Sequence, residues 1–498
     1  MEKIEERFAE PKRQAGIAIL IILLKFLKQT IKSFWPIALS FFIGGKSDRF
    51  ETVLGILVII ISVLNLGGSL LSYFRYYIQL EKGAIIIDKG VLRRSKTNVP
   101  FERIQSINFK QNLVHQFFGV VSVEIDTAGA SKAELTIDAI DKKEAEALRE
   151  YIMSVRSEIL QEKAEPTAEE QKSDEQTILH LSVSDLIKIG VSQNHLRSMA
   201  ILFGFALTIL NDLNESFEGV VEEELSSKAD LILNSQWLIF LFFVLAILVV
   251  SFVYSLITTT LGNYDLKLKL NNKGLKLIKG LLNREEISIN KNKIQIVSWG
   301  DNPIRRMFNM WTLSLEQASS ENADKLKSKI KVPGCYLEQV DEVLGVVFPK
   351  MTDYVFSKHK VSILLKYRLL FFVSVLPFLL SLVAFLWIEW LILWFIIWPI
   401  FTSIYIHIYF QKRSFEISEE VFKNNTGAFG TRFELTQLHK VQAIEITQSW
   451  YQRRKNLANI ELTTASGELS VPFIPFEMAI ALEKYILYRV ETDQREWM

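Results

Sequence analysis

One 26-residue stretch occurs three times in this chain, and that self-similarity limits the possible folds more than any compositional feature. It runs from Ile104 to Gly129, from Ile294 to Ser319 and from Val441 to Ser466, with no gap in any copy. Each copy opens on an apolar–Gln pair (Ile104-Gln105, Ile294-Gln295, Val441-Gln442). Each closes on an alternating apolar segment (Val123-Glu124-Ile125, Leu313-Ser314-Leu315, Ile460-Glu461-Leu462). Polar pairs, Gln111-Asn112, Asp301-Asn302 and Gln448-Ser449, fall at one shared offset between these ends. The copies lie 190 and 147 residues apart. A stacked solenoid repeats every ~20 to 50 residues, so each copy is expected to sit in a module of its own.

The hydropathy pattern says what separates the modules. The chain has 498 residues, 49% of them hydrophobic, and its uncharged apolar runs alternate with Lys/Glu-rich segments. That alternation is the pattern of a membrane protein with large soluble parts. Val53 to Leu71 carries no charge over 19 residues, close to the ~20 that cross a hydrocarbon core. Further spans are expected to take in residues 34–45, extended upstream, and residues 199–210, then to run from Trp237 to Leu261, from about Leu369 to Leu386 and from Leu391 to Tyr409. Three stretches lead into these hairpins (residues 14–32, 181–193 and 352–366) and read as amphipathic helices lying along the membrane surface. In the first of them Lys25, Lys28 and Lys32 recur three and four apart, on one helix face. The loop 211–236 has seven acidic residues against Lys228, whereas Lys267, Lys269, Lys273, Lys276 and Lys279 crowd the other end of the fourth span. The positive-inside rule then puts that loop outside and the modules in the cytoplasm. The charged Met1 to Gln14 is not expected to be a signal peptide.

After each hairpin the periodicity changes to two, the mark of strands. Residues 77–80, 84–90, 91–99, 106–110, 120–127 and 133–137 read as strands, and 141–159 as an amphipathic helix that closes them. The expected fold class is therefore a multi-domain membrane protein. It has six transmembrane helices in three hairpins and three cytoplasmic α+β modules, each of antiparallel strands closed by a C-terminal helix. The hairpins with their lead-ins occupy 14–73, 181–262 and 350–410. The modules occupy 74–159, 263–349 and 411–492, and an acidic, proline-containing linker fills 160–180.

The first module carries a family resemblance. Pro100-Phe101-Glu102-Arg103-Ile104-Gln105, then Phe117-Phe118-Gly119, then Val123 to Gly129 resemble the bacterial pleckstrin-homology-like (PH-like) domain. The threefold arrangement with membrane hairpins is similar to the YdbT-type membrane proteins. In the other two modules Asn309 and Asn456 stand in place of Gly119. The resemblance implies two sheets capped by a helix and a bacterial cell membrane location. It assigns no function, because a fold alone does not carry one.

Catalysis finds little support in the residues. The six histidines are scattered without metal-ligand spacing, Cys335 is the only cysteine, and no nucleophile-elbow, Walker or dinucleotide motif occurs. No catalytic residue, metal site or cofactor is expected. A net charge of +1 argues against nucleic acid as a partner. The candidate lipid- or partner-binding residues are basic clusters: Arg93, Arg94 and Lys96 on a polar strand, Arg305 and Arg306, and Arg453, Arg454 and Lys455. Such clusters either form a solvated positive-inside face or bind anionic headgroups, at about 1 kcal/mol per cation near the surface. The apolar pairs Phe117-Phe118 and Met307-Phe308 either pack inside the sheet or insert into lipid or a partner, and core packing is the expected role. The expected function is a non-enzymatic integral membrane scaffold. Its modules would bind headgroups of the lipid bilayer or a membrane-protein partner, as a homo- or hetero-oligomer. The alternative is a transporter or channel component, which would place charged or broken helix segments at mid-membrane.

Overall fold

The computed structural model describes residues 7–43, 49–81, 83–90, 94–127, 135–162, 176–193, 195, 199–200, 202–204, 236–271, 274–318, 329–385, 392–493 and 495. The acidic loop, most of the third apolar run and most of the acidic linker lie outside them. So do Arg93 and the turn between the fifth and sixth apolar runs.

The first unit runs β1 (Lys12–Arg13), α1 (Ala18–Ile43), α2 (Arg49–Phe74), β2 (Tyr77–Glu81), β3 (Ala84–Lys89) and β4 (Ser95–Pro100). A 3-10 turn (Phe101–Arg103) leads to β5 (Ile104–Gln111), α3 (Leu113–Phe117), β6 (Val120–Thr127), β7 (Leu135–Asp141) and α4 (Lys142–Glu162). The second repeats this order: β8 (Gln176–His180), α5 (Val183–Val191), α6 (Gln236–Gly262), β9 (Lys267–Asn271), β10 (Gly274–Lys279), β11 (Arg284–Asn290), a turn (Lys291–Lys293), β12 (Ile294–Gly300), α7 (Pro303–Met307), β13 (Trp311–Gln317), β14 (Lys329–Cys335) and α8 (Leu337–Val347).

In the third unit β15 (Ser357–Lys360) precedes α9 (Leu364–Leu369), a π-helical stretch (Leu370–Val375), α10 (Leu376–Phe385) and α11 (Ile392–Lys412). Then come β16 (Ser414–Ile417), β17 (Val421–Thr426), β18 (Arg432–Gln437), a turn (Leu438–Lys440), β19 (Val441–Thr447), α12 (Trp450–Arg454), β20 (Leu457–Thr464), β21 (Gly467–Pro475) and α13 (Phe476–Thr492). The 26-residue repeat is thus a strand, a one-turn helix and a strand.

Three apolar cores match three modules. In the first, Ile85, Ile87 and Val99 of one sheet face Ile107, Val123 and Ile125 of the other, and Leu148 and Ile152 of α4 close the gap. The modules are not separate sheets, however. The strand order of the two large sheets is β7-β6-β5-β11-β10-β9-β8 and β14-β13-β12-β18-β17-β16-β15. Each seven-stranded sheet therefore joins the last three strands of one module to the first four of the next. Glu286 lies opposite Phe109 at the first junction, and Phe433 opposite Trp299 at the second. Backbone edges thus pair across module boundaries, and neighbouring modules share a sheet.

Further expectations change. The lead-in helices pack on the last strand of their own module. Ala15 N–H donates to the Ala139 carbonyl, Ser362 N–H donates to the Phe473 carbonyl, and Leu186 and Ile189 of α5 enter the second core. In the range read as linker, Gln176–His180 is strand β8, paired with β9. The first lead-in and the first apolar run form one 26-residue helix, α1, and it packs against α2. Among the described residues one segment, Val244–Gly262, is long and apolar enough to cross a membrane, judged by length and composition. The count of six spans is not supported by the described residues.

Candidate membrane-facing surface

The one-turn helices α3, α7 and α12 place the candidate residues. Each opens on a polar cap whose side chain accepts the backbone N–H three residues on: Asn112 from His115, Asn302 from Arg305 and Ser449 from Gln452. That spacing turns the third residue inward, and all three are buried. The His115 ring lies between Asn112 Oδ1 (2.6 Å) and the Asp138 carbonyl (2.9 Å). Gln452 donates to Asn459. Arg305, 6% exposed, donates from Nε to Ser192 Oγ (3.2 Å) and also to Thr312. Burial pushes its guanidinium pKa down. Arg305 thus ties the end of α5 to the second module and offers nothing to a ligand.

The next residue reaches across the junction. Gln116 donates to the Leu281 carbonyl (2.8 Å). Arg306 pairs with Asp301 (2.6 and 3.0 Å) and donates to Thr431 Oγ1 (3.0 Å). The hydrogen bonds to Asp301 hold its pKa above the usual arginine value. Arg453, at the same position in the third module, is exposed. Arg454 lies over the Trp450 ring, 3.9 Å from its centroid, and Lys455 is exposed. Arg94 and Lys96 are exposed at the edge strand β4. The seven described basic candidates therefore form no single site. Arg305 is structural, Arg306 serves a junction, and five remain open.

Large apolar side chains are exposed on the same three one-turn helices and their ends. Phe117 is 84% exposed, Met307 80% and Trp450 70%, and Phe118 is also exposed. The expectation that Phe117-Phe118 packs in the core is corrected, as it is for Met307, while Phe308 packs against the second core. The bond from Gln116 places the Phe117-Phe118 knob beside Leu281-Leu282, a loop seated on the end of the apolar helix α6. Leu281 N–H donates to the Leu261 carbonyl (2.9 Å), and Gly280 N–H to the Tyr264 carbonyl (2.8 Å). In the third module Lys412, at the end of α11, donates to the carbonyls of Ala428 (2.7 Å) and Gly430 (2.9 Å), and Phe429 meets Phe401 and Tyr405. One-turn helices and hairpin loops thus make an apolar, basic rim at the helix ends, the composition of a membrane–water boundary.

Two sequence signs mark this rim. One is a cap followed three residues later by the inward residue. The other is a glycine followed by two apolar residues (Gly280-Leu281-Leu282, Gly427-Ala428-Phe429). Gly280 and Gly427 have φ of 99° and 119°, and in each a Cβ would meet the backbone across the loop. Among the described residues no group of three or more His, Cys, Asp or Glu is placed to hold a metal. Cys335 is buried and its thiol is pushed up to about 12 by burial. His407 takes a hydrogen bond from Lys366 (3.1 Å) and contacts Gln411 (2.9 Å).

Comparison with known proteins agrees with this threefold construction. Transmembrane protein YdbT of Bacillus subtilis (strain 168) is 22% identical over 358 residues, covering 69% of this chain and 70% of that protein. No solved structure matches. The family model described as the bacterial PH domain matches three times, over residues 19–156, 225–350 and 369–490. Each match takes in one module with apolar helix ahead of it, and together they cover most of the chain: it belongs to the bacterial PH domain family.

Proposed function

We propose that the chain is a non-enzymatic integral membrane scaffold that holds three PH modules, joined edge to edge, against the anionic headgroups of the inner membrane face. The observation that carries this reading is the exposure of Phe117, Met307 and Trp450 on the three one-turn helices, with Arg454 over the Trp450 ring and Gln116 bonded to the loop on the end of α6. Aromatic bodies favour the boundary region, and cations beside them gain from anionic lipid. The name of YdbT as a transmembrane protein supports the same placement. The finer topology, three hairpins with both termini cytoplasmic, rests on the acidic loop 211–236. It also draws on the exposed apolar side chains of α2 and α9–α11, among them Ile60, Leu64, Phe372 and Leu380. Against a transporter, the polar groups inside the third hairpin satisfy one another. Ser374 donates to the Pro399 carbonyl (3.2 Å), and Thr402 donates to Ser374 Oγ (3.0 Å).

Because Cys335 is buried, an introduced surface thiol can be labelled selectively. In liposomes, spin labels at F117C and W450C should be relaxed by a headgroup-depth agent, and more strongly with phosphatidylglycerol than with phosphatidylcholine alone. R453E/R454E should abolish that lipid preference. Labels reached only by a water-soluble agent, equally in both lipids, would remove the membrane-facing assignment.

A further inference from the structure

The two internal junctions are built to one pattern, and the chain ends carry its two unmatched halves. Where modules meet, the fifth residue before a 3-10 turn pairs with the sixth residue of the repeat: Glu286 with Phe109, and Phe433 with Trp299. The register is identical in both. The first four strands of the chain, β1-β2-β3-β4, and the last three, β19-β20-β21, form separate sheets whose edges β4 and β19 are unpaired among the described residues. These are the same two edges that meet at each internal junction. Joined, they would make a third sheet of seven strands in the same order, with Lys96 opposite Ile446.

Charged side chains on a free edge ordinarily keep it from pairing, so the chemistry of the edges decides. Over each junction lies the eighth residue of the module's closing helix: Arg149 in α4, Leu344 in α8 and Glu483 in α13. In the first junction Arg149 forms an ion pair with Glu286. In the second, Leu344 and Phe433 belong to one apolar cluster. The equivalent residues at the open ends are Glu483 and Lys96, an opposite-charge pair with its sign reversed, and neither has an ion-pair partner among the described residues. A second contact repeats the logic. Lys440, last in its turn, donates to the carbonyls of Asn292 (3.0 Å) and Ile294 (2.6 Å) in the preceding module. Its counterpart Arg103 is exposed, and the counterpart carbonyls belong to His439 and Val441. The one like-charged approach, Arg94 towards Arg453, falls on the rim.

We propose that two copies of this chain join head to tail, β19 of one pairing with β4 of the next, with Glu483 facing Lys96. The occupant is a second copy because this chain itself holds both halves of the junction it already uses twice. The contact is heterologous, so it propagates into rings or open chains of subunits. It does not depend on headgroup binding.

The register places Ser95 opposite Thr447. In full-length protein reconstituted in vesicles, S95C mixed with T447C should give a disulfide-linked dimer, and S95C/T447C on one chain a ladder of multimers. S95C alone should give neither. K96E and E483K should each cut this linkage about tenfold or more, since like charges in an interface cost several kcal/mol, and the pair K96E/E483K should restore it. Mixtures linking no better than S95C alone, or a charge swap without rescue, would overturn the proposal. So would linkage of these cysteines in native membranes to a different polypeptide.

Discussion

Replacing Arg149 by alanine tests whether adjacent modules form one body. Its guanidinium pairs with Glu286 of the next module, with the two side chains only 22% and 20% exposed, and lies 4.5 Å from the centroid of the Phe109 ring. An exposed pair is worth up to ~1 kcal/mol, and breaking a fully buried one costs ~3 to 5. Here burial is partial, and Glu286 keeps Lys276 at 3.0 Å, so the pair should contribute about 1 to 1.5 kcal/mol. The guanidinium over the ring adds roughly 0.5 to 1, for a total of about 2 kcal/mol.

Hydrogen exchange of the detergent-solubilised protein reads this locally. Amides of β5 and β11 should exchange roughly 30-fold faster together, as 1.4 kcal/mol is a factor of ten. A double-mutant cycle with Glu286→Gln should return a coupling near 1 kcal/mol. Acidity gives a second handle. Burial alone would raise the Glu286 carboxyl, but Arg149 and Lys276 hold it below its usual value. Its stabilisation is therefore complete above the unfolded pKa and is lost as pH falls through the lower folded one. That acid sensitivity should shrink in Arg149→Ala. Faster exchange confined to α4, with β11 unchanged and additive single effects, would refute a junction carried by this pair.

Two further outcomes are expected. Burial, with Arg495 and Lys440 nearby, holds the His439 imidazole down to about 4, so this group's stabilisation is complete above pH 6.5 and declines toward pH 4. By pH 5 the loss should be about 2 kcal/mol, and His439→Gln should flatten it in exchange measured across β18 and β19. Gly274 has φ of 149°, and a Cβ there would run into the Ile289 carbonyl oxygen on the paired strand. Gly274→Ala should cost about 2 to 4 kcal/mol, seen as lost protection in β9 to β11 with the first module's β2 and β3 unaffected.

What could be read in advance follows from which groups write the pattern. The strand read over 106–110 is β5, Ile104–Gln111, because side-chain alternation records which face a strand buries. The same alternation is silent about which strand lies alongside. Pairing across an edge is made by backbone N–H and C=O groups, which every residue but proline carries alike, so the sharing of sheets between modules left no trace in hydropathy. Arg305 and Arg306 show a second limit. They are adjacent and chemically equal, yet a cap three residues before Arg305 sends it inward and leaves Arg306 to the junction. Phe117 and Phe118 show a third: an aromatic pair at strand-and-turn spacing reads as core, yet both rings are exposed.

The differences among the three copies then acquire a physical meaning. One geometric position is occupied by Arg149, Leu344 and Glu483 on the helix side, and its partner by Glu286, Phe433 and Lys96 on the strand side. Matched in chain order these are ionic, apolar and, between copies, ionic with the sign reversed. Four of the six mismatches are penalised, and any other complete matching includes at least one of them. Arg149 would repel Lys96, Glu483 would repel Glu286, and Leu344 against either charge would desolvate it without a partner. A set of three edges that are identical in backbone would pair in any order. Three side-chain chemistries at one position impose a single order, so the divergence of the copies is what makes a repeated fold assemble in sequence.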